Sequence, residues 1–187
     1  MNQNRFLLFL SVLLLSTLAC SIFVGGPDYP EERIPISAQA VESFKTQTEE
    51  AMLAGAQTGV ITLQITEEQL TSAIAFKMAS QENPAFTDPQ VHLREGQMQI
   101  YGRVRRGYFN ANILIVLSVS VDELNQPKIE VVSADFGPFP APEGLKQSIT
   151  TLVAEAYTGS LGPVATGFRL ETISIADGIM TLAGRIK

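Results

Sequence analysis

One cysteine and one histidine stand among 187 residues, with no tryptophan, and that scarcity limits the chemistry this chain can do. His92 alternates with the apolar Val91 and Leu93, so it is expected to point to solvent. It has no Cys partner and no recognisable Ser or Asp partner for a nucleophilic relay. A zinc site needs several His or Cys ligands, which cannot be assembled from one of each. The glycine-rich phosphate cradles, Gly-x-Gly-x-x-Gly and the Gly-to-Gly-Lys-Ser/Thr loop, do not occur. Asp88, Asp122, Asp135 and Asp177 fall at predicted strand ends and turns, where Asp serves the backbone. Acid–base work by a carboxylate pair is the one catalytic reading that stays open. The chain otherwise reads as non-enzymatic, with no cofactor and no metal.

Two groups of residues could bind instead. Arg103, Arg105 and Arg106, flanked by Tyr101 and Tyr108, sit at one predicted hairpin and could meet phosphate headgroups or an anionic wall polymer. A solvated hairpin tip is the plainer account of the same residues. Met52, Met78, Met98 and Met180, with Phe44, Phe76, Phe109 and Phe136, fall on predicted inward faces. Methionine adapts to irregular apolar partners, as a lipid groove would require, though an ordinary core uses the same residues.

The cysteine has its own context. Arg5, the apolar run from Phe6 to Ala19 and then Cys20 form a short basic start, a hydrophobic segment and a small residue before a cut, the pattern of a secretory signal. Ser16-Thr17-Leu18-Ala19-Cys20 resembles the lipobox of bacterial lipoproteins, with Thr17 where Leu is commonest. That resemblance implies cleavage before Cys20 and diacylation of its thiol. One acyl chain anchors marginally and two or three hold firmly, at about 0.8 kcal/mol per buried methylene. The apolar run is shorter than the roughly 20 residues that span a bilayer as a helix. An uncleaved anchor, extended through Ile22-Phe23-Val24, and an ordinary secretory signal remain the competing readings. Ser21 lacks the Asp that favours inner-membrane retention in Gram-negative lipoproteins, and the leaflet stays open.

Residues 1–19 are thus expected to be the signal peptide, 20–36 the lipidated Cys and a flexible tether, and 37–187 one domain. Loss of Arg5 with the signal takes the net charge from −6 to −7. An acidic balance argues against nucleic acid and against general attachment to anionic lipid, which leaves the acyl group as anchor. Gly25-Gly26-Pro27, Pro30 and Pro35 punctuate the tether, which would span roughly 20–24 Å as a flexible chain.

The elements follow from periodicity. Val41, Phe44, Thr48, Ala51, Met52 and Gly55 recur at helical spacing after Ser37, a plausible N-cap, and predict a helix over 37–56. Ile61, Leu63 and Ile65 alternate with polar residues in a strand over 60–66. Thr66-Glu67-Glu68-Gln69 is a capping box that starts a second helix, ending near Asn83-Pro84. Hairpins fill the middle, with turns at Glu95-Gly96 and Arg106-Gly107. The strand from Tyr108 to Val121 is apolar along one whole face and, at Leu114 and Val116, on the other as well, which predicts cover on both sides. A further strand spans 128–136. After the Gly137–Pro142 break, Leu145, Ile149, Leu152, Val153 and Ala156 give a third helix an apolar stripe. Asp177-Gly178 turns a closing hairpin. The order predicts an α+β fold, a long twisted antiparallel sheet wrapped against two or three amphipathic helices.

Ile65-Thr66-Glu67-Glu68-Gln69-Leu70, the hairpin strand Gln97–Val104, the Gly137-Pro138-Phe139-Pro140 break and the Ile173–Ile186 hairpin together resemble the YpmS-like and LmeA-like families of bacterial extracytoplasmic proteins. The pattern covers about residues 60–187. YpmS-like proteins usually keep a transmembrane helix where this chain has a lipobox. These families are similar to tubular lipid-binding folds, in which a twisted sheet wraps a long helix around an apolar groove. The lipobox anchor, the doubly apolar strand at Leu114 and Val116 and this resemblance together lead to the expectation of a membrane-anchored extracytoplasmic lipoprotein that binds a lipid or other apolar ligand near the membrane. Met78, Met98, Leu114, Val116, Ile149 and Val153 are the candidate groove residues, and Arg103, Arg105 and Arg106 the candidate headgroup contacts. The alternative is a non-enzymatic envelope interaction module with a solid core and no ligand; an envelope hydrolase is a distant third.

Overall fold

The computed structural model describes residues 21–141 and 168–186. Among them are two helices and eight strands: β1 (Ile22–Phe23), α1 (Ala38–Thr58), β2 (Val60–Thr66), α2 (Glu67–Ala79), β3 (Thr87–Arg94), β4 (Gln97–Arg106), β5 (Phe109–Val121), β6 (Pro127–Asp135), β7 (Phe168–Ala176) and β8 (Ile179–Ile186). The fold is α+β, with curled, mostly antiparallel sheets that make a half-barrel. The third amphipathic stretch, with Ile149 and Val153, lies outside the described residues.

Local chemistry sets the element ends. Ser37 Oγ accepts from the Ala40 N–H at 3.0 Å and starts α1, and Gly59, at φ 76°, stops it by donating its N–H to the Gly55 carbonyl. The capping box forms as the spacing predicts: Gln69 N–H donates to Thr66 Oγ1 at 3.2 Å, and Thr66 N–H donates to Gln69 Oε1 at 3.0 Å. Helix α2 ends at Ala79, short of Asn83-Pro84. Glu95-Gly96 and Asp177-Gly178 hold both central residues at positive φ, the turn that matches strand twist in a two-residue hairpin.

The larger sheet runs β3, β4, β5, and β5 has two partners on its far edge. Strand β6 pairs antiparallel with residues 114–121, and β1 pairs parallel with Phe109 and Asn110. The smaller sheet runs β2, β8, β7. Its apolar face carries Ile65, Met180 and Ile175 into one core with Val91, Leu93, Met98, Ile100, Ile113, Ile115 and Leu117 of the larger sheet. A second cluster centres on Ile61 and Leu170, packed against Ala51 and Met52 of α1. Helix α2 protects the free edge of β3: Thr71 Oγ1 accepts from Val91 N–H at 2.9 Å and Glu67 Oε1 from Leu93 N–H at 2.7 Å.

Residues 22–36, expected to be a flexible tether, instead lie against the domain. Ile22 N–H donates to the Tyr108 carbonyl at 2.7 Å, Val24 N–H to Asn110 at 2.9 Å, and Asn112 N–H to Gly25 at 3.1 Å. The reason is the length of β5, whose first residues would have an unpaired edge beyond the end of β6.

Gly55 sets the approach of α1 to β2, because a Cβ there would collide with the Ile61 side chain. Valine is the better helix former, so a loss at this position isolates the packing. Gly55→Val should lower stability by about 1–3 kcal/mol, as overpacking does. A urea midpoint equal to the parent's would show that the helix and strand are not in contact there.

Candidate functional site

Strand register divides the proposed groove residues between two faces. Met98 lies opposite Leu117 and faces the shared core. Leu114 lies opposite Tyr101, and Val116 opposite Gln99, on the reverse side of the same sheet. Met78 is buried near the end of α2, and Ile149 and Val153 lie outside the described residues. Met98 and the Leu114–Val116 pair therefore cannot line one groove, since strand side chains alternate across the sheet. The β4–β5 register pairs Met98 with Leu117, so Leu114 and Val116, of the other parity, fall on the opposite face.

Among the described residues, the cover over the Leu114 side is a strap formed by residues 24–36. Asn112 Nδ2 donates to the Pro27 carbonyl at 3.1 Å, and the Tyr29 hydroxyl donates to the Asp88 carbonyl at 2.6 Å. The Gln90 side chain, only 2% exposed, then acts as a substitute peptide group. Its Oε1 accepts from Ile34 N–H at 2.6 Å and its Nε2 donates to the Ile34 carbonyl at 3.2 Å. Ser37 N–H donates to Ser72 Oγ at 3.1 Å and delivers the strap into α1. Gly26 is required at the crossing: its φ is 115°, and a Cβ would strike the Asn112 carbonyl.

A charged and aromatic cluster fastens the strap. The Asp88 carboxylate bridges Arg33 at 3.4 Å and Arg103 at 3.2 Å. Both guanidiniums stand over the Tyr29 ring, at 5.4 and 4.8 Å from its centroid, and Tyr29 meets Tyr101 edge-on. Burial first, and then the Asp88 charge, push the Tyr29 hydroxyl up to about 12, with Arg33 and Arg103 opposing. Arg103, expected as a headgroup contact, is thus committed to holding the strap.

Arg105 and Arg106 remain at the tip of the β4–β5 hairpin, as the sequence places them. Arg105 Nε donates to the Gly107 carbonyl at 3.1 Å, and Arg106 pairs across the turn with Phe109. Neither forms an ion pair among the described residues. Sequence reasoning missed Ile22, Phe23, Tyr29, Asp88 and Gln90 as working residues. The apolar triplet Ile22-Phe23-Val24 was the available signal, and it reads equally as the tail of the signal segment.

An open groove of about 430 Å³ runs between α1 and the free edge of β2, lined by Gln47, Glu50, Ala51, Ala54, Thr62 and Leu63. Its walls are as polar as they are apolar. Among the described residues no three of His, Cys, Asp and Glu converge as a metal site, and no helix is long and apolar enough to cross a membrane. No family model matches the chain, and neither a curated protein nor a solved structure does.

His92 does not point freely to solvent, as its alternation suggested. It is half-buried, edge-on to Tyr101 at 5.5 Å, and its Nε2 is buried without a hydrogen-bond partner among the described residues. Burial lowers its pKa from the ordinary 6.5, Arg94 adds to the lowering, and the carboxylates of Glu67 and, from the strap, Glu32 oppose it. The folded chain therefore prefers the neutral ring. Its contribution to stability is present above the unfolded value and lost as pH falls through the folded one. His92→Leu should flatten the decline of the urea midpoint below about pH 6.5. An unchanged slope would place the ring in open solvent.

Proposed function

We propose that this chain is a bacterial extracytoplasmic lipoprotein whose domain is a non-enzymatic binding module held against the membrane. One observation carries the reading: β1 begins at Ile22, two residues after the lipobox cysteine. Two residues of extended chain reach at most about 7 Å, so an acylated Cys20 would hold the sheet itself at the bilayer. Among the described residues the apolar side chains gather in two packed clusters, which favours a solid-core module. Cys20→Ser should release the protein from the membrane fraction or leave an uncleaved precursor. A mutant that is processed and partitions like the parent would overturn the lipoprotein reading.

The open groove beside β2 favours a second reading, in which the module also carries an apolar ligand. A volume of about 430 Å³ suits part of an acyl chain or a small amphiphile, whose polar end could meet Gln47 and Glu50. Ala54 is exposed on its wall, so Ala54→Phe would fill the groove without entering the core. Native mass spectrometry of the membrane-extracted chain should then show lipid on the parent and none on the variant, with matching urea midpoints. A parent that flies without lipid would leave the solid module as the function.

A further inference from the structure

The end of the larger sheet nearest Cys20 combines features that the strap and the cores do not use. Two rungs cross it. Ile22, Phe109 and Arg106 are register partners in one, and Phe23, Asn110 and Arg105 in the next. Tyr108 occupies the turn beside them. Ile22 is 54% exposed, Phe23 59%, Tyr108 59% and Phe109 45%. Adjacent rungs face opposite sides of the sheet. Ile22, Phe109 and Arg106 on one side, Phe23 and Arg105 on the other and Tyr108 at the tip therefore ring the end of the sheet, where a surface meets them end-on. Neither arginine has an ion pair among the described residues. Neither rung contains a carboxylate, in a chain whose net charge is −6.

We propose that this edge, built from β1 and the β4–β5 hairpin tip, docks on the surface of an anionic bilayer. The inference rests on the reading of Cys20 as the acyl anchor, and it adds a second contact that fixes how the domain stands. Aromatic side chains with a polar end settle at the headgroup level, and Arg buries its aliphatic stem while its guanidinium stays among phosphates. Basic residues beside an acyl chain add a second, electrostatic attachment to an anionic membrane, each contributing a modest share. Here both attachments leave the same end of the sheet, because Cys20 precedes Ile22 by two residues. The net acidity of the remaining chain would repel an anionic surface, so the basic edge is the face the molecule can present. Leu124, 77% exposed in the turn after β5, marks the opposite end. It lies about 40 Å away along a strand of this length.

The chain contains no tryptophan, so one introduced indole reports on its own position. Phe109→Trp, Tyr108→Trp and Leu124→Trp would each be made in the full chain, extracted from membranes and returned to vesicles of phosphatidylcholine with phosphatidylglycerol. The mass of each purified chain reads acylation of Cys20 separately. The indoles of Phe109→Trp and Tyr108→Trp should emit at shorter wavelength on vesicles and be quenched by lipids brominated on their acyl chains. The indole of Leu124→Trp should stay accessible to an aqueous quencher. Arg105→Glu with Arg106→Glu should reduce the lipid quenching at an unchanged urea midpoint. Acylated chains on vesicles with equal responses from all three indoles would overturn the docking edge and leave the anchor standing. The same quenching in phosphatidylcholine alone would overturn the anionic surface. An edge already shielded without lipid, in a chain that sediments as a dimer, would assign it to a second copy and overturn the proposal.

Discussion

Strand β5 has thirteen residues, and both of its edges carry backbone donors and acceptors that must be met. Strand β4 serves one edge along ten residues. The other edge is longer than β6, which reaches only from Leu114 to Val121. The first residues of that edge therefore recruit the chain N-terminal to the domain, and the strap follows as a consequence. Gly137, at φ 58°, lies against Gly26, so the departing β6 and the arriving strap meet along β5 with no room for side chains. Once residues 22–26 are held there, the chain must cross the sheet to reach α1, and Pro27, Tyr29 and Ile34 mark its path.

That crossing explains why an outward sheet face holds a half-buried histidine and a buried glutamine. Gln90 gives up its water for two hydrogen bonds to the Ile34 backbone, so its amide is paired in both directions. Asp88 sits in the left-handed region at φ 53°, which Asp tolerates better than most residues. Its carboxylate is thereby set between Arg33 of the strap and Arg103 of the sheet. A bulge between Thr87 and Gln90 is the local cause, since it turns one residue of β3 out of register.

Much of the domain was legible in the chain. The strand over 60–66, the capping box at Thr66 and Gln69, and the glycine turns at 96, 107 and 178 all rest on local rules that tertiary packing reinforced. The double cover of β5 was also readable, because Leu114 and Val116 are apolar on a face whose ends are polar. The strap that lies on that face among the described residues was not. Residues 21–36 are rich in Gly and Pro with no period, so composition describes a tether, and only the missing partner on β5 distinguishes it from a docked strap. The candidate groove failed for a related reason: parity along each strand was clear, but Met98 and Val116 could be placed on opposite faces only once the β4–β5 register was known. Arg103, Arg105 and Arg106 look equivalent in sequence, and a carboxylate fifteen residues upstream separates the first from the other two.

The strap also orders events in time. Residues 22–34 leave the ribosome before the strands they dock on, since Tyr29 and Ile34 bind residues 59 and 56 positions later and Ser21 meets Asn110 89 positions later. Contacts of such sequence separation cannot form before the strands they dock on have been made, and their loop-closure cost is high. Until then the amides of Ile22 and Val24 have no partner in the sheet, and the segment is open to any enzyme that acts on extended chain. Afterwards Ile22 is hydrogen-bonded into the sheet and the same peptide bonds are harder to grip. Access to the backbone of residues 22–34 therefore has a window that folding closes.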